Sequence, residues 1–294
     1  MSTRSRYTSG VNSLLDRIRK TTDRAAQSGS LISLPTERTV VEDRGIAFIV
    51  HTTDLQTSKT RAKTNQIEKS FNPFLPPDPD LIIGDLTSDH VSVLNKYNVL
   101  DHHLLIVTRI FEAQETLLNV GDFEALAACM DEIDGLGFYN GGVTAGASQA
   151  HKHLQLIPLP LGDGPLPTPM DSVIDPSAEV GRLSRVPLLP FDHALIRLDG
   201  NGIDSHRAKE LHEFYRRACR AVNVHDETQP YNLLLTRRWM LVVPRSREHW
   251  RGVSINALGF AGSLLVRSPT ELEQLKLIGP LAVLKSVVDE ELHG

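Results

Sequence analysis

Apolar positions recur along this chain in two rhythms, one of helices and one of strands. Leu14, Leu15 and Ile18 share one face of a 3.6-residue repeat, so residues 11–28 read as an amphipathic helix. Residues 45–51, Gly-Ile-Ala-Phe-Ile-Val-His, are apolar and β-branched and read as a strand. Residues 91–97 and 103–108 give two more strands, and the turn-prone Asn98 and Asp101 between them suit a hairpin. Over 71–79 the prolines Pro73, Pro76, Pro77 and Pro79 fix φ and remove backbone donors, which excludes a helix. Helical spacing returns over 120–134 and stops near Gly135, and residues 137–142 read as a strand end entering a loop.

From Pro158 to Pro190 the density of proline predicts a long surface connection. Beyond it, 193–198 reads as a strand, 204–222 as a helix, 231–236 and 239–244 as a hairpin, and 269–288 as a closing helix. Hairpins mixed with helices predict an α+β fold with a mainly antiparallel sheet, not a doubly wound parallel one. The chain divides into an N-terminal part, 1–157, a Pro-rich connection, 158–192, and a C-terminal part, 193–294, that completes the same catalytic unit.

Composition narrows the class. With 294 residues, 40% hydrophobic, the chain can bury a core without staples. A net charge of −5 argues against a broad nucleic-acid surface, though a local basic pocket is compatible with it. Cys129 and Cys219 lie far apart, each within a predicted helix, and read as buried thiols of a reducing compartment. No apolar run is long enough to cross a bilayer. The start, Met-Ser-Thr-Arg-Ser-Arg, lacks the apolar core of a secretory signal; its Ser, Thr and Arg suit a transit peptide, but Asp16 and Asp23 suit a native helix. The expected compartment is the cytoplasm.

The most informative segment is His151-Lys152-His153-Leu154-Gln155. On a strand, His151, His153 and Gln155 share one face, while Lys152, Leu154 and Leu156 share the other, which looks like ordinary packing. The loop Gly146-Ala147-Ser148-Gln149 precedes it. Neither a P-loop nor a complete dinucleotide fingerprint is present, since Asn140 stands where Gly135-x-Gly137 would need its third glycine. Three readings of the pair compete. It could be two core histidines, each hydrogen-bonded. It could bind zinc, with His102 or His103 as a third ligand, but no carboxylate is near in sequence. It could be nucleophilic: a neutral imidazole attacks phosphorus well, an amide such as Gln155 bonds phosphate without titrating, and loop N–H groups cradle oxygens. The third reading uses every part of the segment.

With these motifs the chain resembles the histidine-triad superfamily, in its His-x-His-x-Gln branch, and within it the family of ATP adenylyltransferases or diadenosine tetraphosphate phosphorylases. Asn72-Pro73-Phe74, Val93-Leu94-Asn95-Lys96, His103-Leu104-Leu105, residues 231–236, 243–246 and 258–262 fall in the family's order, so the resemblance spans most of 45–267. It implies a histidine-triad-like fold and an enzyme that cleaves diadenosine tetraphosphate with inorganic phosphate to ATP and ADP, or the reverse, through an adenylyl-histidine. It implies His153 as nucleophile, His151 as its hydrogen-bonding support and Gln155 as a phosphate contact. Asn140 and the loop Gly146, Ala147, Ser148 and Gln149 would hold the phosphate chain, with Asn95 and Lys96 at the nucleoside end. Asn256, Ala257, Leu258, Ser263 and Arg267 would hold the rest of the dinucleotide. Ser263 and Arg267 stand where the family has methionine and lysine. Lys59, or else Lys63, would supply an N-terminal cation. No fixed cofactor, metal site, nucleic acid or membrane partner is implied; a divalent cation such as Mg could accompany the phosphates. Plainer roles stand beside these: Asn95 as a strand cap, Arg267 as a surface charge, Ser148 as a loop residue, and His103 as a buried structural histidine. The alternatives in function are a sugar-1-phosphate nucleotidylyltransferase of the same superfamily and a nucleotide-binding regulator without turnover.

Overall fold

The computed structural model describes residues 13–53 and 72–289. Lys59 and Lys63 therefore lie outside the described residues. The first helix, α1 (Leu14–Ser28), is capped by the Ser13 side chain, buries Leu14 and Ile18 as their spacing predicts, and ends at Gly29 with φ 80°. A hairpin follows, β1 (Glu37–Asp43) and β2 (Ile46–Thr52), then β3 (Ile82–Asp85), β4 (His90–Leu94) and β5 (Leu104–Thr108). Helix α2 (Val120–Glu132) begins with a capping box in which Asn119 and Asp122 bond each other's backbone N–H groups. Next come β6 (Gly135–Gly141), β7 (His153–Pro158), β8 (Leu183–Ser184) and β9 (Ala194–Arg197). Helix α3 (Ala208–Ala221), β10 (Tyr231–Leu235) and β11 (Trp239–Pro244) precede the short pair β12 (His249–Trp250) and β13 (Val253–Ser254). The chain continues through α4 (Ala257–Phe260), β14 (Ser263–Val266), α5 (Pro269–Ile278) and α6 (Pro280–Ser286).

Nine strands form one sheet in the order β3-β4-β5-β7-β6-β10-β11-β9-β8, with every pair antiparallel. This is the expected α+β arrangement. Alternation along each strand sorts the side chains onto two faces. Leu104, Ile106, Leu154, Leu156, Leu233 and Met240 pack with α1, α2 and α3 on one face. Leu136, Phe138, Ile157, Leu234, Leu241 and Val243 pack on the other against β2, β14 and the C-terminal helices. There β14 runs parallel to β2 and completes a three-stranded sheet, β1-β2-β14, that local patterning did not predict. Its pairing joins residues more than 200 positions apart.

Two other expectations change. The closing helix over 269–288 is broken between α5 and α6, because Gly279 takes φ 89° and Pro280 starts a new helix. The Pro-rich segment does not merely cross the surface: Leu161, Met170, Val186 and Leu189 enter the core. The predicted buried thiols are observed, with burial pushing Cys129 and Cys219 up to about 12.

Where β6 lies against β10, a side chain added at Gly141 would come within 2.8 Å of the fully buried Tyr231 ring. Gly141→Ala is expected to destabilise the protein by about 1–3 kcal/mol through overpacking; a urea midpoint equal to that of the unsubstituted chain would contradict it.

Candidate active site

The site is built on β7, at the centre of the sheet. Leu154 and Leu156 enter the helical core, so His153 and Gln155 face the opposite side. The ladder between β6 and β7 runs from Gly135 and Pro158 to Phe138 and Gln155. Past that rung the buried amide of Gln114 takes the strands' place. The His153 N–H donates to Gln114 Oε1 at 2.9 Å, and Gln114 Nε2 donates to the carbonyls of Asn140 (2.9 Å) and His153 (3.2 Å). Gln114 is held by its own N–H on Ala150 O and by the Tyr139 hydroxyl, which donates to Gln114 O. Sequence reading missed Gln114, since nothing local marks a glutamine that pairs with strands far from it.

His153 is 3% exposed. Its Nδ1–H donates to the carbonyl of His151 at 2.8 Å, which fixes the tautomer and leaves Nε2 with a free lone pair. Desolvation pulls it from the ordinary 6.5 to about 4, against the opposing effect of that carbonyl. The imidazole is therefore neutral at physiological pH.

His151 lies two residues ahead of β7, in an isolated bridge with Ala113. The expected row of three side chains on one strand is thus a row of two, with His151 ahead of it. The His151 ring sits between Thr108 and Asn72: Nε2–H donates to Thr108 O at 2.8 Å, and Asn72 Nδ2 donates to Nδ1 at 2.9 Å. Burial lowers its pKa as well. Phe74 touches both imidazoles, with ring centroids 5.6 Å from His151 and 5.4 Å from His153. The backbone of His151, not its ring, supports His153.

Gln155 Oε1 accepts from His103 Nε2 at 2.9 Å, and His103 Nδ1 lies 3.1 Å from Asn95 Nδ2. His103 is buried and hydrogen-bonded through both ring nitrogens, as the plainer reading of it expects. It does not converge with His151 and His153 as a zinc site would require, and among the described residues no group of three His, Cys, Asp or Glu is placed to hold a metal ion. Lys96 follows Asn95 in the chain, and its ammonium lies 5.9 Å from the Tyr97 ring centroid.

Asn140 Oδ1 accepts from Asn232 Nδ2 and from the Ala257 N–H, both at 2.9 Å, so only its amide N–H groups can meet a ligand. This ties β6, β10 and α4 at one point. The loop after β6 turns tightly: Gly146 has φ 89°, and a Cβ there would lie 2.7 Å from Ile255 O. Gly146 and Ala147 spend their N–H groups on Val143 O and Gly142 O. Exposed Ser148 and half-buried Gln149 spend neither on the backbone of described residues, so they are the loop's free donors. Under this loop Arg245 is buried, and among the described residues no carboxylate forms an ion pair with it. It donates to Asn232 Oδ1 (2.7 Å), Ala145 O (3.2 Å), Val287 O (3.2 Å) and Arg247 O (2.8 Å), and desolvation pushes it down to about 9.

Of the remaining expected contacts, Asn256 lies against the loop, its Cα 2.8 Å from where a Cβ on Gly146 would stand. Asn256 caps α4 by accepting from the Leu258 N–H, Leu258 is half-buried, and Ser263 is buried on β14. Arg267 is exposed and its guanidinium is taken by Glu271, with Nη2 to Oε1 at 2.6 Å. Lys152 corrects the reading of its face as ordinary packing. It is fully buried, 2.7 Å from Asp122 Oδ2 and 3.1 Å from Glu112 Oε2, and His90 Nε2 meets Asp122 Oδ1 at 3.0 Å. Burial would raise the Asp122 pKa, but His90, Lys152 and the Asn119 N–H together hold it below the carboxylate range.

Two family models match: the Ap4A phosphorylase N-terminal domain over residues 4–176 and the ATP adenylyltransferase C-terminal domain over 187–289. The chain belongs to the Ap4A phosphorylase family. It is similar to diadenosine 5',5'''-P1,P4-tetraphosphate phosphorylase 2 of Saccharomyces cerevisiae, with 29% identity over 244 residues, 74% of this chain and 75% of that protein. Protein APA1 of the same yeast is 26% identical over 271 residues, 83% and 84% of the two chains. Among solved structures, yeast Ap4A phosphorylase Apa2 in complex with AMP has a TM-score of 0.75 at 24% identity, covering 96% of this chain and 98% of that one. The same enzyme in complex with Ap4A has a TM-score of 0.75 at 23% identity, covering 93% and 97%. At these identities the structures share the fold, which the described residues of this member of the Ap4A phosphorylase family adopt in both matched halves.

Replacing Lys152 leaves Asp122 as a buried, partly unpaired charge. Lys152→Met is expected to cost about 3–5 kcal/mol in urea unfolding, with part restored by Asp122→Asn in the same chain. A loss under about 1 kcal/mol would show that the buried pair adds little.

Proposed function

We propose that this chain is a diadenosine tetraphosphate phosphorylase that works through a covalent adenylyl-His153. The observation that carries the reading is the state of His153: neutral, with Nδ1–H on the His151 carbonyl and Nε2 free on the face that Gln155 shares. Nε2 attacks the α-phosphorus, the bond from that phosphorus to the bridging oxygen breaks, and ATP leaves. The ring then carries positive charge, which the His151 carbonyl stabilises by accepting from Nδ1–H. An oxygen of inorganic phosphate attacks the adenylyl phosphorus, the P–N bond breaks, and ADP leaves with His153 again neutral. Run backwards, the same steps join ATP and ADP.

The substrate's phosphate chain carries about four negative charges, so the site needs donors aimed at it. In this reading the Ser148 and Gln149 N–H groups, the Asn140 amide and the Gln155 amide supply them. Lys96 and Lys59 would supply positive charge. A divalent cation such as magnesium would arrive with the phosphates as part of the substrate. Membership of the Ap4A phosphorylase family supports the choice of an adenylyl donor. Among the described residues no helix is long and apolar enough to cross a membrane.

Purified protein given diadenosine tetraphosphate is expected to yield ATP and ADP only when phosphate is added. ATP and AMP formed without phosphate would make it a hydrolase and overturn the reading. His153→Ala should lower turnover by at least roughly 10³-fold, and phosphorolysis near the level of the unsubstituted chain would remove His153 from its role.

The pH dependence follows from the lowered pKa. Protonation removes the nucleophilic lone pair, and His153 stays unprotonated until the pH falls to about 4. The second-order rate constant for adenylylation, which reports the free enzyme, should hold from neutral pH well below the 6.5 of an ordinary histidine. An acid limb centred at 6.5 would refute this.

A further inference from the structure

We propose that Asn95 and His103 are positioning residues that decide which end of the Gln155 amide faces the substrate; the role rests on the adenylyl-transfer reading above. A glutamine amide has two ends of nearly equal shape and opposite hydrogen-bonding sense. Turned one way, Gln155 offers a phosphate two N–H donors. Turned the other way, it offers a carbonyl oxygen that repels the same phosphate. A site built for an anion must hold the first orientation, and the relay behind Gln155 does so.

The relay starts from a group that has no choice. The backbone N–H of Tyr97 can only donate, and it meets the Asn95 side chain at 3.2 Å, so the Asn95 atom there is the oxygen Oδ1. The nitrogen Nδ2 is then the end that meets His103 Nδ1, at 3.1 Å, and donates to it. A neutral imidazole that accepts at Nδ1 carries its proton on Nε2. Nε2–H donates to Gln155 Oε1 at 2.9 Å, which occupies the oxygen and leaves the NH₂ group as the end free for phosphate. The frame is fixed as well: the Asn95 N–H donates to His103 O at 2.9 Å, and the His103 ring rests 5.7 Å from that of Phe138. His103 and Gln155 are both buried, so water does not readily replace these partners. Each link is determined by the one before, from a backbone N–H to the reacting face.

The test reads the imidazole directly. In protein labelled with 15N-histidine, with the His103 signals assigned through His103→Phe, the His103 ring should be protonated at Nε2 and bare at Nδ1. Asn95→Asp replaces a donor by a carboxylate that can only accept, so the proton should move onto Nδ1. Formation of adenylyl-His153 from diadenosine tetraphosphate should then slow about 10²–10³-fold, as when one charge-stabilising donor is lost. Gln155→Glu should keep the Nε2 proton and still slow the reaction, because the donors themselves are gone. A His103 proton on Nδ1 in the unsubstituted protein would overturn the proposal. So would an Asn95→Asp protein with unchanged tautomer and rate. If Asn95→Asp does not fold, His103→Phe serves instead: it frees the amide and should slow adenylylation in the same direction, and an unchanged rate overturns the relay. The tautomer is read without turnover. An unsubstituted protein with the Nε2 proton that forms no adenylyl-histidine would therefore sink the functional reading alone.

Discussion

A buried strand end must have its backbone paired, and between His153 and Asn140 that pairing is made by a side chain. Gln114 supplies one acceptor and two donor contacts where β6 and β7 no longer bond each other. The arrangement has a geometric effect. Two strands in register sit about 4.8 Å apart, whereas an inserted amide spreads them and still satisfies both backbones. The carbonyl of His151, the ring of His153 and the glycine loop after β6 all take their places around that opening. Were the ladder to continue, the sheet would close over that opening.

Electrostatics around the opening follow one rule: buried charge is kept away from the reacting ring. Lys152 lies behind the strand with Asp122 and Glu112, and Arg245 lies beneath the loop among carbonyl oxygens. The two cations are handled differently. Lys152 is neutralised by carboxylates, while Arg245 is held by carbonyl and amide oxygens, and its burial lowers its pKa despite them. Both immobilise the segments that flank His153 without contributing a proton to it. His153 is left with neither cation against its ring, and its burial keeps the imidazole unprotonated.

Much of this was legible before any coordinates. The periodicities of residues 14–28, 120–132, 231–235 and 239–244 located helices and a hairpin, because those segments bury one face against near neighbours. The site was legible in part for the same reason: Asn140, the loop from Gly146 and the His153–Gln155 pair are contiguous in sequence. What could not be read were partnerships made by folding alone. Gln114, Asn72 and Thr108 look like ordinary loop and strand-end residues until they meet two histidines about forty to eighty positions away. Lys152 was misjudged because alternation states which face a residue takes, not whether a carboxylate waits there. Arg267 shows the converse: a cation at a suggestive position has its own carboxylate four residues on.

The order of strands in the large sheet also bears on how the chain is made. β6 and β7 are synthesised early, but the neighbour that covers the far edge of β6 is β10, which belongs to the second matched half. Until residue 231 has emerged, a growing chain holds Gly135–Gly141 as an open edge, with Asn140 short of its Asn232 and Ala257 partners. Unpaired edges invite pairing with other chains. A ribosome translating this protein therefore carries a half-built catalytic sheet through the whole Pro-rich stretch, and that stretch is an interval in which a chaperone has something definite to shield.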